Sequence, residues 1–325
     1  MAELIKAAEL LPVVDLLLLN EYDGREVGYE PAAYKLEEYG RDYRRRVERL
    51  ISAGYLKIAT PEETLVKLTI PALKDILRAN GQKLSGGKKD LVARIVENVS
   101  PEKYAGQIPK FYAATERGRR ELEQRSAYIE NQQQPYRFLN SEIAAVEARL
   151  LAAGEYSSEK VFEELYARDI ATHGFARDFG RLRNSYYDKY YFLKRHGRLA
   201  EAVTALLTVI YLDLTGMGND NTVEDYDSLG WVFETRAWSE LDKIRTALNL
   251  TDRDLKRTFE VAVEQCAIRP PFSYFSAGTM IEILLARLNG QMDLIERYRF
   301  CRHEPREDSP NYKYYDFSEG DYWDE

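Results

Sequence analysis

The chain has 325 residues, of which 45% are hydrophobic and 31% charged, a balance that is typical of globular proteins and excludes collagen-like and low-complexity chains. Its two cysteines exclude a disulfide scaffold and fit a reducing compartment. The longest apolar stretches, 13–19 and 202–210, are shorter than the ~20 residues of a membrane span, so we expect no membrane partner. The first residues do not have the pattern of a signal peptide, and we expect a cytoplasmic location.

Charge is distributed unevenly along the chain, whose net charge is −8. Residues 1–125 hold 22 bases and 20 acids, whereas residues 304–325 hold eight acids and two bases. The chain therefore has a mildly basic head, an acidic middle and a strongly acidic tail with six aromatic residues. Such asymmetry is informative about partners, because a basic region attracts polyanions and an acidic one suits a basic groove.

The first 130 residues predict short helices and two short strands. Apolar residues at helical spacing, with Gly54 and Gly81 as stops, carry the prediction. Asn20–Gly28 predicts a turn-rich connector. The predicted helices are 2–19, with a bend at Pro12, then 42–53, 70–79, 88–98 and 115–129, and the predicted strands are 55–59 and 111–114.

The rest of the chain predicts helices almost throughout. The uncharged, proline-ending segment Asn131–Pro135 favours a linker over 131–140, followed by a helical-hairpin domain over 141–303 and a tail over 304–325. Loops are predicted at 215–221 and 269–271. The predicted helices are 141–153, 158–170, 176–196, 199–213, 227–248, 251–266, 276–289 and 291–300. The predicted fold class is therefore mainly α.

A basic helix–loop–helix is predicted between residues 73 and 95. Ser85 is a candidate cap for the second helix, and the N–H groups at that helix start, beside Lys88, are expected to bind a phosphate. The alternative is a solvated hairpin with ordinary surface lysines. The candidate DNA-binding residues here are Lys74, Arg78, Lys83, Ser85, Gly86, Gly87, Lys88, Lys89 and Arg94.

The order and spacing of this stretch resembles the SAP domain, a small helix–loop–helix DNA-binding module. The resemblance covers about residues 66–99 and implies contact with double-stranded DNA, with little sequence preference. Gln82 stands where the family usually has an apolar residue, and Leu84 is the candidate to fill that place. The matching residues are Leu73-Lys74, Leu77, Gly81, Ser85-Gly86, Lys88, Leu91-Val92 and Arg94-Ile95.

The flanking segments 43–56 and 112–122 resemble the third helix, wing strands and following helix of a winged helix. The resemblance implies a winged-helix-like head over 1–130, with a SAP-like insert over 64–106, and DNA contact by Arg44, Arg45 and Arg49. A winged helix is also often a protein-interaction module. With a helical C-terminal part, this arrangement resembles SAP-domain proteins of phages and prophages of Gram-positive bacteria, which implies the cytoplasm of a bacterial host.

Signals for catalysis are weak. Residues 81–89 lack the order of a phosphate-binding loop, and the three histidines are far apart, so we expect no enzyme, metal or cofactor. The tyrosine-rich segment Ser185–Phe192 favours helix packing over a platform for stacked bases.

Two functions remain open from the sequence. The first is a non-enzymatic DNA-binding protein whose helical domain recruits a protein partner or a second copy of the chain. The second is an acidic interaction protein or inhibitor that occupies a partner's basic groove by DNA mimicry, as in phage–host conflict. The basic clusters of the head favour the first, and the acidic remainder of the chain favours the second.

Overall fold

A computed structural model describes residues 11–133, 138–217 and 235–300, with the side chains of 298–300 left aside. The chain divides between Gln133 and Gln134 into an N-terminal and a C-terminal unit. Within the described residues there are sixteen α-helices and one two-stranded sheet, so the fold is mainly α as predicted. No helix among these residues has the length and hydropathy to cross a membrane. The predicted tail 304–325 and residues 134–137 of the predicted linker lie outside the described part.

Three short helices open the N-terminal unit: α1 (Val13–Tyr22), α2 (Ala33–Tyr39) and α3 (Tyr43–Ser52). Pro12 is the N-cap of α1, so the predicted helix 2–19 does not run on through this residue, because proline lacks the N–H that a helix interior requires. Residues 2–10 of that predicted helix lie outside the described part. The helix continues into the predicted connector as far as Tyr22. α2 was not predicted, because its seven residues give too short a pattern to show periodicity.

Strands β1 (Leu56–Ile58) and β2 (Tyr112–Ala114) pair in antiparallel register, with Lys57 opposite Ala113. Both predicted strands are confirmed in shortened form. An isolated bridge from Glu26 to Phe111 adds a further segment beside β2. The connection between the strands contains α4 (Pro61–Leu65), α5 (Ile70–Ala79), α6 (Lys88–Asn98) and a 3-10 turn (Pro101–Lys103).

The insert has a hydrophobic core of its own. Leu73, Leu77, Leu91 and Ile95 are fully buried, as the helical hairpin prediction requires. Leu84 packs against this core as a half-buried residue, so the predicted replacement for the apolar family position is confirmed. The other buried members are Leu65, Leu68, Ile76, Val99 and Tyr104. The missed helix α4 begins at a capping box in which Thr60 and Glu63 bond each other's backbone amides.

The single helix predicted over 115–129 is wrong, because the chain forms α7 (Glu116–Gln124) and α8 (Ser126–Asn131) with a break at Arg125. Arg125 has φ −124°, outside the helical range, and its buried guanidinium donates to the carbonyl of Leu11. Gly118, in the first turns of α7, lies so close to β1 that a Cβ there would be 2.2 Å from the carbonyl oxygen of Tyr55.

The C-terminal unit is built of helices that pack largely on their chain neighbours. α12 is buried on nearly every side, as its predominantly apolar sequence requires. Of the predicted helix 227–248, residues 227–234 lie outside the described part. The helices are α9 (Asn140–Ala153), α10 (Ser158–Phe175), α11 (Phe179–Arg195), α12 (Leu199–Thr215), α13 (Arg236–Leu248), α14 (Asp252–Glu264), α15 (Ala277–Leu288) and α16 (Met292–Phe300).

Polar contacts between helices are concentrated on α11. Arg183 makes two hydrogen bonds to the buried carboxylate of Asp213 on α12, at 2.8 and 3.1 Å. The buried hydroxyl of Tyr190 donates to Glu240 of α13 at 2.6 Å, and Lys194 pairs with the same carboxylate. The tyrosine-rich segment therefore joins helices, as the packing interpretation predicts.

A second carboxylate on α11 is poorly accommodated. Burial raises the pKa of Asp188 to about 6, and the nearby carboxylate of Asp169 adds to the effect, while Arg183 opposes it. Asp169 itself accepts a hydrogen bond from Ser185 at 2.5 Å and lies 3.3 Å from the His173 Nε2. The folded state therefore favours the neutral form of Asp188 up to about pH 6.

Deleting residues 64–106 and joining the ends with a short Gly/Ser turn should leave the N-terminal unit folded, because the deleted stretch carries its own core. Hydrogen exchange followed by mass spectrometry should show protected amides in α1 and β1 of the deletion variant. Fast exchange of the amides throughout α1, α3 and β1 in the deletion variant would contradict the prediction that the N-terminal unit folds without the insert.

Gly118→Ala should destabilise the N-terminal unit by about 1–3 kcal/mol, since the methyl group collides with the Tyr55 carbonyl and forces α7 away from β1. Gly106→Ala is the matched control, because a Cβ at Gly106 meets no atom within 4 Å. Exchange protection in β1 and α7 measures the effect. Equal protection in the two variants would show that this close approach does not matter to stability.

Asp188→Asn should stabilise the C-terminal unit at pH 7.5 and do so less at pH 5. The pKa of Asp188 is about 6 in the folded state and ~4 in the unfolded state, so the folded state favours the protonated carboxyl. The stability that Asp188 contributes is therefore fully present below pH ~4 and is lost as the pH rises through about 6. All three tryptophans follow residue 134, so their fluorescence reports heat unfolding of this unit. The exposed Asp242→Asn is the control, and a stabilisation independent of pH would contradict the assignment.

Candidate nucleic-acid interface

The helix–loop–helix of the insert is defined at both helix ends by local hydrogen bonds. The Thr69 hydroxyl accepts from the amide of Ala72 and starts α5, and Pro71 supports the first turn. At the other end, Gly81 takes φ +66° and the amide of Gln82 bonds the carbonyl of Leu77 at 2.9 Å. The chain thus leaves α5 at a fixed angle into residues 81–87, which we name the basic loop.

The start of α6 is organised by Asp90 and two glycines. Gly87 is the N-cap, and its amide donates to the Asp90 carboxylate at 2.8 Å. Gly86 has φ +122°, and a Cβ there would lie 2.9 Å from the Cβ of Asp90. The prediction that Ser85 caps α6 is wrong, because no side chain caps the helix from Ser85 and the Asp90 carboxylate satisfies the amide of Gly87.

Arg94 braces the basic loop from within α6. Its Nη1 donates to the carbonyls of Lys83, at 2.6 Å, and Ser85, at 2.9 Å. The sequence analysis placed Arg94 among the phosphate ligands. In the structure its guanidinium bonds loop carbonyls, so its observed contacts are those of a positioning residue.

Exposed ammonium groups surround the basic loop. Lys83, Lys88 and Lys89 are exposed, and Lys74 on α5 is half-buried. Within the described residues, none of these four side chains forms an ion pair or hydrogen bond, so each is available to an anion. Ser85, Gly86 and Gly87 are exposed between them. The carboxylate of Asp90, at the start of α6, accepts a hydrogen bond from the Gly87 amide.

Arg78 differs from the lysines because its guanidinium pairs with Asp75 one helical turn earlier, on the exposed surface of α5. This pairing reduces the net charge that Arg78 offers to a phosphate. The predicted site residues of the insert therefore separate into the four lysines, the exposed loop segment 85–87, an ion-paired arginine and a bracing arginine.

The arginines near α3 separate in the same way. Arg44 pairs with Glu30 and donates to the Tyr43 hydroxyl at 3.1 Å. Arg46 pairs with Asp15 at 2.9 Å and with Asp42 at 3.2 Å. Arg45 and Arg49 are exposed on α3, and among the described residues neither side chain has a hydrogen-bond or ion-pair partner.

Two exposed residues near the predicted site, Asp90 and Arg41, are missing from the predicted DNA-binding set. Asp90 matches the acidic third position of a capping arrangement after Gly87, a signal that could have been read from the sequence. Arg41, exposed just before α3, was not chosen as a DNA-binding residue, since its lack of a partner is visible only in the structure. Over the described ranges, no group of three histidine, cysteine or acidic residues could hold a metal ion.

Comparison with known protein families identifies the helix–loop–helix. Residues 64–99 match the model of the SAP domain. The matched segment begins within α4, contains α5, the basic loop and α6, and ends at Val99, the last buried residue before the 3-10 turn. A comparison with curated proteins found no match to the chain. The chain thus carries a SAP domain at residues 64–99, and it is this domain that indicates nucleic-acid binding.

Proposed function

We propose that the protein binds double-stranded DNA through the basic loop and α6 of its SAP domain, without catalysing a reaction. The observation that carries the proposal is the set of four unpaired lysines around a loop braced by Arg94, in the segment that matches the SAP domain. Ammonium groups with no internal partner lose little when they meet a phosphate, because no ion pair has to be broken first.

The contacts available predict backbone binding with little sequence choice. Lysine ammonium groups are point charges that pair with phosphates, whereas base readout relies on side chains that enter a groove and bond base edges. The amide of Gly87 already donates to the Asp90 carboxylate, so this amide is not available to a phosphate. The lysine ammonium groups are therefore the main attraction for DNA. We therefore expect affinity that falls steeply with salt.

A winged-helix-like head is part of the same proposal. Three helices, the β1–β2 pair and the bridge at Glu26 support it, since the chain enters and leaves the insert from adjacent antiparallel strands. In this arrangement the insert occupies the place of the turn between the two strands. We propose that the insert is a DNA-contacting extension of this head.

The remaining predictions rest on the sequence alone. They are a phage or prophage origin, a cytoplasmic location in a bacterial host, and a protein partner or second copy bound by the helical domain. The alternative function, an acidic inhibitor in a partner's basic groove, is favoured by the charge of the C-terminal part. That alternative predicts no salt-dependent retention on DNA.

Changing Lys83, Lys88 and Lys89 together to alanine should weaken binding to a random-sequence duplex by roughly 10-fold or more and reduce the slope of log affinity against log salt by up to about 2.7, at about 0.9 per phosphate contact. Fluorescence anisotropy over a salt series measures both quantities.

D75N/R78Q is the control for this experiment, because it removes an exposed cation of the SAP domain together with its paired carboxylate and leaves the net charge unchanged. It should lower affinity much less than a single lysine change. Unchanged affinity and slope in the triple lysine variant, with α-helix content preserved in circular dichroism, would refute the proposed site.

A further inference from the structure

The turn before α3 and the helix itself carry five arginines, and the fold uses only some of them. The guanidinium of Arg46 is bound to Asp15 and Asp42, and the guanidinium of Arg44 is bound to Glu30 and Tyr43. The other three, Arg41, Arg45 and Arg49, are exposed, and over the described ranges none of their side chains has an ion-pair or hydrogen-bond partner. We name these three the arginine stripe.

Within the arginine stripe, Arg45 and Arg49 lie on one side of α3, and Arg41 is exposed in the turn that precedes the helix. The members of the stripe follow one another at intervals of four residues, and the helix rises ~1.5 Å per residue, so Arg45 and Arg49 are about 6 Å apart along the axis. The opposite side of α3 is buried through Tyr43, Val47 and Leu50. Arg45 and Arg49 therefore lie on the solvent-facing side of α3.

Acidic groups near the stripe do not neutralise it. Asp42, Glu48 and Ser52 line the same surface depression as Arg45 and Arg49. The Asp42 carboxylate is bonded to Arg46, which holds its pKa below the usual range. Arg46 bonds both Asp15 and Asp42, so one carboxylate charge there is not compensated by it. Together with Glu48, which is exposed and forms no ion pair within the described residues, that charge offsets two of the three positive charges and leaves a local surplus of one.

We propose that Arg41, Arg45 and Arg49 form a second phosphate-binding surface, and that the protein holds one DNA duplex through this surface and the SAP domain together. The inference rests on the proposed function, because it assigns the same ligand to a second site. Guanidinium groups suit a phosphate backbone, since their planar donors can bond two phosphate oxygens at once.

The link between α3 and the insert is held in place, which favours joint binding. Thr115 donates to the carbonyl of Gly54 at 2.7 Å, in the turn that follows α3. Arg117 bonds the carbonyl of Ala53 at 3.1 Å and the Tyr55 hydroxyl at 2.6 Å, with its guanidinium 4.1 Å from that ring centre. β1 begins directly after this turn and leads into the insert. Because the connection between the two sites is short, a duplex bound at one site is present at a high effective concentration at the other.

The test compares three variants of the full chain on one random-sequence duplex: the stripe variant R41A/R45A/R49A, the lysine variant K83A/K88A/K89A, and their combination. The stripe variant should bind roughly 10-fold more weakly than the parent chain, with a salt slope lower by up to about 2.7. The combined variant should show the sum of both slope reductions.

E116Q/R120Q is the matched control, because it removes an exposed arginine of the same unit together with its paired carboxylate and leaves the net charge unchanged. It should leave the salt slope nearly unchanged. Circular dichroism and exchange protection of α3 establish that the stripe variant is folded.

The outcomes separate the inference from the proposed function. If only the lysine variant loses affinity and the stripe variant keeps the parental affinity and slope, the second surface is refuted and the SAP-domain site is supported. The arginine stripe would then be a candidate contact for an acidic protein surface. Loss in the stripe variant alone would instead overturn the proposed DNA site of the SAP domain, and with it the claim of joint binding. Bridging of two differently labelled duplexes by one protein molecule would overturn the claim that both surfaces hold the same duplex.

Discussion

The antiparallel pairing of β1 with β2 is the constraint on which the N-terminal unit depends, because it joins chain segments that are far apart in sequence. The connection from Ile58 to Tyr112 contains 53 residues. Closing a flexible loop of that length costs roughly 3.5 kcal/mol from the logarithmic term. The insert reduces this cost, since its own buried core packs residues near both ends of the connection, from Leu65 to Phe111, against each other. A three-residue ladder can then close, reinforced by the bond from the Ala59 amide to the Phe111 carbonyl at 2.8 Å.

The elements that the sequence predicts best are those with strong local boundaries. Both helices of the SAP domain begin and end where predicted, because Thr69 and Gly87 start them and the sequence leaves the helical pattern at Gly81 and Val99. The missed elements, α2 and α4, have seven and five residues and show too little periodicity. The break at Arg125 depends on its bond to Leu11, a partner more than a hundred residues away that no local pattern indicates.

The candidate site was predictable as a region and less so residue by residue. Counting charge identified the basic hairpin and the basic helix, but every lysine and arginine counts alike in a sequence. The structure separates them by partner: Arg94 bonds loop carbonyls, Arg44 bonds Glu30, and Arg41 has no partner among the described residues. Which cation is available to a ligand is a property of tertiary packing, because the acid that neutralises it can come from a distant element.

This separation also gives a unit of small net charge the local positive surfaces that the proposed function requires. Many of its acidic side chains are paired within the unit. Glu21 accepts hydrogen bonds from Arg25, Lys35 and Tyr29. These bonds lower the pKa of Glu21, although burial acts to raise it. Asp15, Glu63 and Glu116 each pair with a base in the same way. Unpaired cations remain on the SAP domain and beside α3. Since exposed charges act over about one Debye length, ~8 Å at physiological salt, these local surpluses govern binding more than the total charge does.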